Sequence, residues 1–374
     1  MALTYREENQ IGYVIFDHDD SKVNLLSSEV LKQLDKILDD LAHRTSLHAI
    51  VFKSAKKDVF IAGADIQEIQ KIVDPKDGQE KAKAGQDVLN KIEDLKVPTI
   101  AVIDGVALGG GCELALACLY RVATFNEKVR IGLPEVQLGF IPGFGGTYRL
   151  PRIVGLMEGL KLILSARPID STRALRMKLF DKLFPQVNLD QFVKEYVKDI
   201  VDGKIKKYRY PKPKNKGPMD YVMNSSIGHR VIFRKSRESV LKETKGFYPA
   251  PMKAIDVVSQ NFYLDRKRGL EIESRGFGEL AVTAISKNLV HVFYLSEKYR
   301  KLSLEGAEQI KPQPINHAAV LGAGVMGGGI AQAFSNKDIF TRLKDINLDA
   351  VAKGFQAAGK IYSSKELPGK FDRM

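Results

Sequence analysis

The sequence predicts an α/β protein followed by a helical stretch and a second, shorter strand–helix unit. Three observations carry this. Short β-rich runs alternate with helical periodicity over the first 180 residues, convincing strands are missing between 219 and about 304, and a strand-like run resumes at His317. Ile11–Phe16 is rich in β-branched and aromatic residues and reads as a strand. Val30, Leu31, Leu34, Ile37, Leu38 and Leu41 then recur at helical spacing behind the capping serines Ser27 and Ser28. Residues 49–52 and Thr99–Ile103 are further apolar strands. The latter runs into Gly105 and the triple glycine Gly109, Gly110, Gly111, and residues 113–119 are helix-prone, so the glycines fall at a strand-to-helix junction. From 185 to 218 the chain is rich in lysine and carries Pro211, Pro213 and Pro218, which predicts an exposed connection without regular structure. Helical patterns follow, such as Phe277, Leu280, Ala281, Ala284 and Ile285. After Pro312 and Pro314 come a strand at His317–Leu321, the glycines Gly322, Gly324 and Gly327, a helix over 328–334 and a strand over 341–344. No internal repeat is visible.

Composition narrows the class. With 374 residues, 44% hydrophobic and 28% charged, the chain can bury two or three cores and is neither disordered nor low in complexity. Its two cysteines, Cys112 and Cys118, lack zinc or thioredoxin spacing and fit a reducing compartment. No run reaches the ~18 apolar residues of a spanning helix, and the first ten residues are neither a signal core nor an Arg-rich amphipathic leader, so the expected location is cytoplasmic. The formal charge of +13 would suit an anionic partner. Between residues 201 and 250, however, 13 Lys and Arg face 4 Asp and Glu, so most of the excess belongs to one segment.

Two glycine-rich loops, 60–65 and 107–113, could each present a bare backbone N–H to a ligand, the second at a helix N-terminus where negative charge is favoured. Two such donors make an oxyanion hole, although glycines at turns also serve simple packing. Glu113 follows the triple glycine in an otherwise apolar helix, and Glu135 lies in an apolar, glycine-rich stretch that runs to Thr147. Carboxyls in such surroundings suit acid–base chemistry because burial raises their pKa values. Either could equally be a surface residue or half of an ion pair, and a spacing of 22 residues does not by itself bring them together. The six histidines, His18, His43, His48, His229, His291 and His317, have no ligand spacing, so no metal site is expected. Cys112 reads as a small buried residue without a histidine partner.

The block 60–152 resembles the enoyl-CoA hydratase, or crotonase, family in its F-x-A-G-A-D loop, its A-L-G-G-G-C-E helix entry and its P-E-x-x-L-G-x-x-P-G-x-G-G-T segment. The similarity runs from the amino terminus to about Leu183, with Ala166 and Lys178 standing where the family commonly has glycine. The resemblance implies a crotonase fold of repeated ββα units. It also implies an oxyanion hole from the N–H groups of Ala64 and Gly110, and Glu113 and Glu135 flanking one water. Ala62, Gly63, Asp65, Ile66 and Gly109 would complete the substrate site, with main-chain groups around Ala62 and Ile66 reading the adenine of an acyl-CoA. The implied reaction is hydration of trans-2-enoyl-CoA to 3-hydroxyacyl-CoA in fatty-acid β-oxidation, without a cofactor and with enoyl-CoA isomerisation as a side activity.

Gly322-Ala323-Gly324-Val325-Met326-Gly327, between a strand and a helix and followed by Asp345 at the end of a second strand, is a dinucleotide fingerprint. It resembles the opening of the 3-hydroxyacyl-CoA dehydrogenase domain. The order of hydratase, helical connection and this fingerprint resembles the α-subunits of bacterial fatty-acid oxidation complexes. That resemblance implies NAD as cofactor of the full dehydrogenase domain and a thiolase β-subunit as partner. The expected division is a hydratase domain over 1–185, a basic, mainly helical linker over 186–312, and an incomplete Rossmann-like segment over 313–374. With the chain ending at Met374, no dehydrogenase activity is expected. Two other readings stand beside the enzyme: a nucleic-acid-binding homologue that uses the basic segment around Tyr208 and Tyr210, for which a solvated linker is the simpler account, and an assembly module that docks a thiolase.

Overall fold

β1 (Leu3–Glu8) and β2 (Ile11–Phe16) pair antiparallel across a tight turn in which Asn9 and Gln10 both have positive φ, the conformation that matches the twist of a two-residue hairpin. The computed structural model describes residues 2–19, 21–211, 217–300 and 313–363. The chain divides into two units, Met1–Arg300 and Lys301–Met374.

In the first unit, α1 (Ser28–Ala42) starts where the Ser27 side chain accepts from Val30 N, and it buries Val30, Leu31, Leu34, Leu38 and Leu41. β3 (Ala49–Ser54) returns parallel to β2, and β4 (Asp58–Ile61) leaves for a second sheet. α2 (Ile66–Gln70) and α3 (Pro75–Asp94) follow, the latter with Asp74 as cap and Pro75 in its first turn, where no intrahelical donor is lost. The pattern then recurs: β5 (Thr99–Ile103), β6 (Gly105–Leu108) and α4 (Gly110–Ala117), then β7 (Tyr120–Thr124) and β8 (Arg130–Gly132). A 3-10 turn at Glu135–Leu138, α5 (Gly146–Val154), α6 (Leu156–Ser165), α7 (Ser171–Arg176), β9 (Lys182–Phe184) and α8 (Leu189–Val201) complete this part. The strand orders are β1-β2-β3-β5-β7-β9 and β4-β6-β8. β1 and β2 share the larger sheet, and the later pairs β3/β4, β5/β6 and β7/β8 each send their first strand to that sheet and their second to the other, which is the ββα repetition expected.

The central strands of the larger sheet are buried on both faces. Ile50, Phe52, Ala101 and Ile103 belong to the main core, whereas Val51, Ile100, Val102 and Val122 meet Val193, Tyr196, Val197 and Ile200 of α8. α8 corrects the expectation of an irregular connection from 185 to 218. The prolines there lie outside residues 189–201, and the stripe at 193, 196, 197 and 200 has helical spacing. The triple glycine does fall at a strand-to-helix junction, although the strand that enters it is β6 and not Thr99–Ile103.

The strand-free stretch forms α9 (Pro218–Met223), α10 (Ser226–Thr244), α11 (Pro249–Asn261), α12 (Arg266–Ala281) and α13 (Ala284–Arg300). α12 lies against α3 at a glycine contact: a Cβ on Gly278 would sit 2.2 Å from the Pro75 carbonyl oxygen. The start of the basic segment is packed rather than solvated. Arg209 donates to the Ala117 carbonyl, Lys207 pairs with Asp181, and the Tyr210 hydroxyl reaches Glu93.

The second unit is a parallel βαβ. β10 (His317–Leu321), α14 (Gly327–Ser335) and β11 (Phe340–Lys344) are followed by α15 (Leu348–Tyr362). Among the described residues no helix is long and apolar enough to cross a membrane.

The two positions where glycine was expected turn out to be left-handed, with φ of 50° at Ala166 and 59° at Lys178. Their backbone fits glycine, and the side chains present carry a local cost of about 1–2 kcal/mol. Lys178→Gly is therefore expected to raise stability by about 0.5–1 kcal/mol, after the extra unfolded-state entropy of glycine is subtracted. Thermal unfolding checks this: a lower melting temperature would contradict it.

Candidate active site

The two glycine loops meet. Gly109 has φ 50° and ψ −123°, and it turns β6 into α4 while its N–H donates to the Gly132 carbonyl at 3.0 Å. A Cβ there would stand 2.9 Å from Glu135 Oε1, so both conformation and space require glycine. Gly110 opens α4, and its Cβ position lies 3.4 Å from Ala64 N. Neither the Ala64 nor the Gly110 N–H is taken up by a hydrogen bond among the described residues. Two free amides side by side, one at a helix N-terminus, can bind a developing oxyanion.

The two glutamates face one cavity. Glu113, 2% exposed, accepts on Oε1 from Phe144 N at 2.8 Å and Gly146 N at 2.7 Å. Glu135, 8% exposed at the start of the 3-10 turn, has an Oε2 that is buried without a hydrogen-bond partner among the described residues. Burial, then the charges of Glu135 and Glu273, hold the Glu113 carboxyl well above the usual carboxylate range, while the two amides act in the opposite direction. Burial pushes Glu135 up to about 8, and Glu273 adds to the rise. Both carboxyls are thus raised by burial; the two amides on Glu113 Oε1 pull that group back toward its charged form, whereas the orphaned Oε2 gives Glu135 no such pull.

The cavity, about 530 Å³, has Leu26, Leu138, Phe140, Phe144 and Phe277 among its apolar walls. Every predicted loop residue from Ala62 to Ile66 lines it, together with Gly109, Gly110, Glu113 and Glu135. Their main-chain and side-chain groups are not equally free. The Ala62 N–H is taken up by the Asn24 carbonyl at 2.9 Å, and the Asp65 carboxylate caps α2 by accepting from Gln67 N at 2.8 Å.

The helical segment supplies groups that sequence reasoning missed. Phe277 of α12 is a cavity wall. Ser286 Oγ donates to the Leu138 carbonyl behind Glu135, and Lys287 Nζ donates to the carbonyls of Gln70 and Ile72 below α2. Glu273, 0% exposed, accepts from Gly145 N, Thr147 N, Thr147 Oγ1 and Gln86 Nε2. A signal for it was available, since Glu273 interrupts the apolar stripe Leu270, Phe277, Leu280 at helical spacing.

In the second unit, Gly322 (φ 97°) and Gly327 pack so closely that a Cβ on Gly327 would fall 1.7 Å from the Gly322 carbonyl oxygen, and nothing stands near Gly324. Asp345, at the end of β11, accepts from Ala323 N at 2.5 Å and Ile346 N at 2.6 Å. The fingerprint thus forms a bare main-chain cradle with a carboxylate at its rim, which fits the adenosine side of a dinucleotide.

Residues 6–223 match the enoyl-CoA hydratase/isomerase family, and residues 317–373 match the NAD binding domain of 3-hydroxyacyl-CoA dehydrogenase. The fatty acid oxidation complex subunit alpha of Shewanella sp. (strain ANA-3) is 37% identical over 358 residues, 95% of this chain and 49% of that protein. The chain thus spans about half the length of the curated relatives it matches. Among solved structures, a carnitinyl-CoA dehydratase from Mycobacterium thermoresistibile shares the fold at TM-score 0.62 and 19% identity over 83% of this chain and 97% of its own. A putative enoyl-CoA hydratase from Streptomyces avermitilis does so at 0.55 and 23% over 83% and 95%.

The raised pKa of Glu135 has a consequence for stability. The folded chain holds this proton up to about pH 8, against an ordinary value of 4.5, so stability declines as pH rises between the two. Glu135→Gln is expected to melt higher than the parent chain at pH 8, by on the order of 1–3 kcal/mol, and the gap should close toward pH 5. Melting curves across that range test it; a gap independent of pH would contradict it.

Proposed function

Because the chain belongs to the enoyl-CoA hydratase/isomerase family and its first unit has the crotonase fold, we propose that it hydrates trans-2-enoyl-CoA to 3-hydroxyacyl-CoA in β-oxidation. The observation that carries this reading is the pair of buried carboxyls facing one apolar cavity beside two unengaged amides. The thioester oxygen accepts from Ala64 N–H and Gly110 N–H, which hold the negative charge as it develops. Glu113, anchored through Oε1 on Phe144 and Gly146, takes a proton from water as the oxygen bonds to Cβ. Glu135 gives its proton to Cα as the enolate collapses. One water is added, and the proton left on Glu113 returns to Glu135 through solvent before the next turnover. A protonated Glu135 at neutral pH agrees with its raised pKa, and for Glu113, which burial and its neighbours' charges also raise, the base role rests on the two amides that favour its ionised form. Around this centre Ala62, Gly63, Asp65, Ile66 and Gly109 form the substrate walls. The same two carboxyls could move a double bond, which keeps isomerisation as a side activity.

The proposed division keeps the hydratase domain at 1–185, the helical segment at 186–312 and the NAD-binding segment at 313–374. In the last, Gly322, Gly324 and Gly327 would receive the pyrophosphate of NAD and Asp345 its ribose; the nicotinamide, when bound, supplies a hydride acceptor. The relatives named as subunits of an oxidation complex support assembly with a further subunit, for which a thiolase is the proposed partner. The nucleic-acid reading is weakened because Lys207 and Arg209 spend their charge on Asp181 and Glu93.

Glu113→Gln and Glu135→Gln are each expected to lower hydration of crotonyl-CoA by about 10²–10⁴-fold, followed as loss of the enoyl-thioester absorbance. Hydration by the parent chain should fall above about pH 8, where Glu135 loses the proton it must donate. Near-normal turnover in either variant would remove this mechanism.

A further inference from the structure

The turn that anchors Glu113 is shared with a second carboxylate. Four consecutive residues alternate between the two. The N–H groups of Phe144 and Gly146 go to Glu113, and those of Gly145 and Thr147 go to Glu273. The Thr147 hydroxyl also donates to Glu273, at 2.5 Å, and Asn261 Nδ2 at 3.2 Å fixes its direction by donating to the same oxygen. Gln86 of α3 donates to the remaining side at 3.0 Å. Every hydrogen-bond partner of Glu273 among the described residues is a donor, so both its oxygens serve as acceptors. Arg149, one turn into α5, completes the frame by donating to the Phe144 carbonyl at 2.6 Å. Glu273 does not line the cavity, and it lies outside residues 6–223.

We propose that Glu273 is a positioning residue for the acid–base pair: by holding Gly145 and Thr147 it fixes the direction of the intervening Phe144 and Gly146 amides, and through them the carboxylate of Glu113. The helical segment thereby sets the geometry of the catalytic turn without touching substrate. Releasing two of four successive amides lets the turn rotate, and a misplacement of about 1 Å at a catalytic group can cost on the order of 100-fold in rate. This inference rests on the hydratase reading.

The test is crotonyl-CoA hydration by the whole chain, with melting temperature measured beside it. In Glu273→Gln the amide group faces N–H donors that a carboxylate accepted, so kcat is expected to fall about 10–100-fold with KM within about threefold, because no cavity wall is lost. Thr147→Val, which removes only the hydroxyl donor, should lower kcat by several-fold, and Thr147→Ser should recover most of it. A folded Glu273→Gln chain with kcat within about twofold of the parent overturns the proposal. If that variant does not fold, unchanged kcat in Thr147→Val overturns it instead. Loss confined to KM would reassign Glu273 to substrate binding and overturn it too. Absence of hydration in the parent chain refutes the hydratase reading, and this inference with it.

Discussion

Burying carboxylates in an apolar cavity is the constraint around which this structure is organised. An ionised carboxyl removed from water costs several kcal/mol unless donors replace the solvent. Around Glu113 and Glu273 those donors are main-chain amides from one glycine-rich turn at the head of α5. Amides offer no charge that would neutralise a base, and at a helix start they bring a favourable dipole. Glu135 receives no such support on Oε2, so two carboxyls lining one cavity differ in their hydrogen bonding. Both groups are comparably buried and burial raises both, so hydrogen bonding is what distinguishes them.

The turn is held from behind by a second buried network. Glu93 of α3 receives Arg149 of α5, Arg266 of α12 and the Tyr210 hydroxyl, and Arg149 in turn grips the Phe144 carbonyl. A carboxylate with several cationic partners stays ionised, and Arg149, Arg209 and Arg266 together hold the Glu93 pKa down despite burial. Such a hub contributes little net stability after desolvation, but it fixes how α3, α5 and α12 meet. The close crossing of α3 and α12 at Gly278 serves the same end through packing. The cavity-lining loops are therefore borne by a frame to which the helical segment belongs.

Much of the centre was legible in the sequence because main-chain chemistry leaves a mark there. Gly109 is required by its backbone angle and by Glu135, and a glutamate beside a triple glycine in an apolar helix is conspicuous. The motif resemblance then supplied roles for Ala64, Gly110, Glu113 and Glu135, which spacing alone could not relate. Less was legible where tertiary packing decides. α8 was hidden by the prolines that surround it, although Val193, Tyr196, Val197 and Ile200 carried its period. The short strands of the second sheet, three or four residues each, lack the length to announce themselves. The basic segment around Tyr208 and Tyr210 reads as a solvated linker because the partners of Lys207 and Arg209, Asp181 and Glu93, are remote in the chain.

By itself the sequence determined the α/β alternation, the glycine junctions, the two catalytic carboxyl candidates and the dinucleotide fingerprint, all of which are local patterns written in residue type and spacing. The tertiary structure decided that both glycine loops and both glutamates share one cavity, and that Glu273, Phe277, Ser286 and Lys287 of the helical segment support it. The reason is physical: a hydrogen bond from residue 145 to residue 273 depends on how α12 lies against α3 and α5, and no period or propensity along the chain encodes that distance.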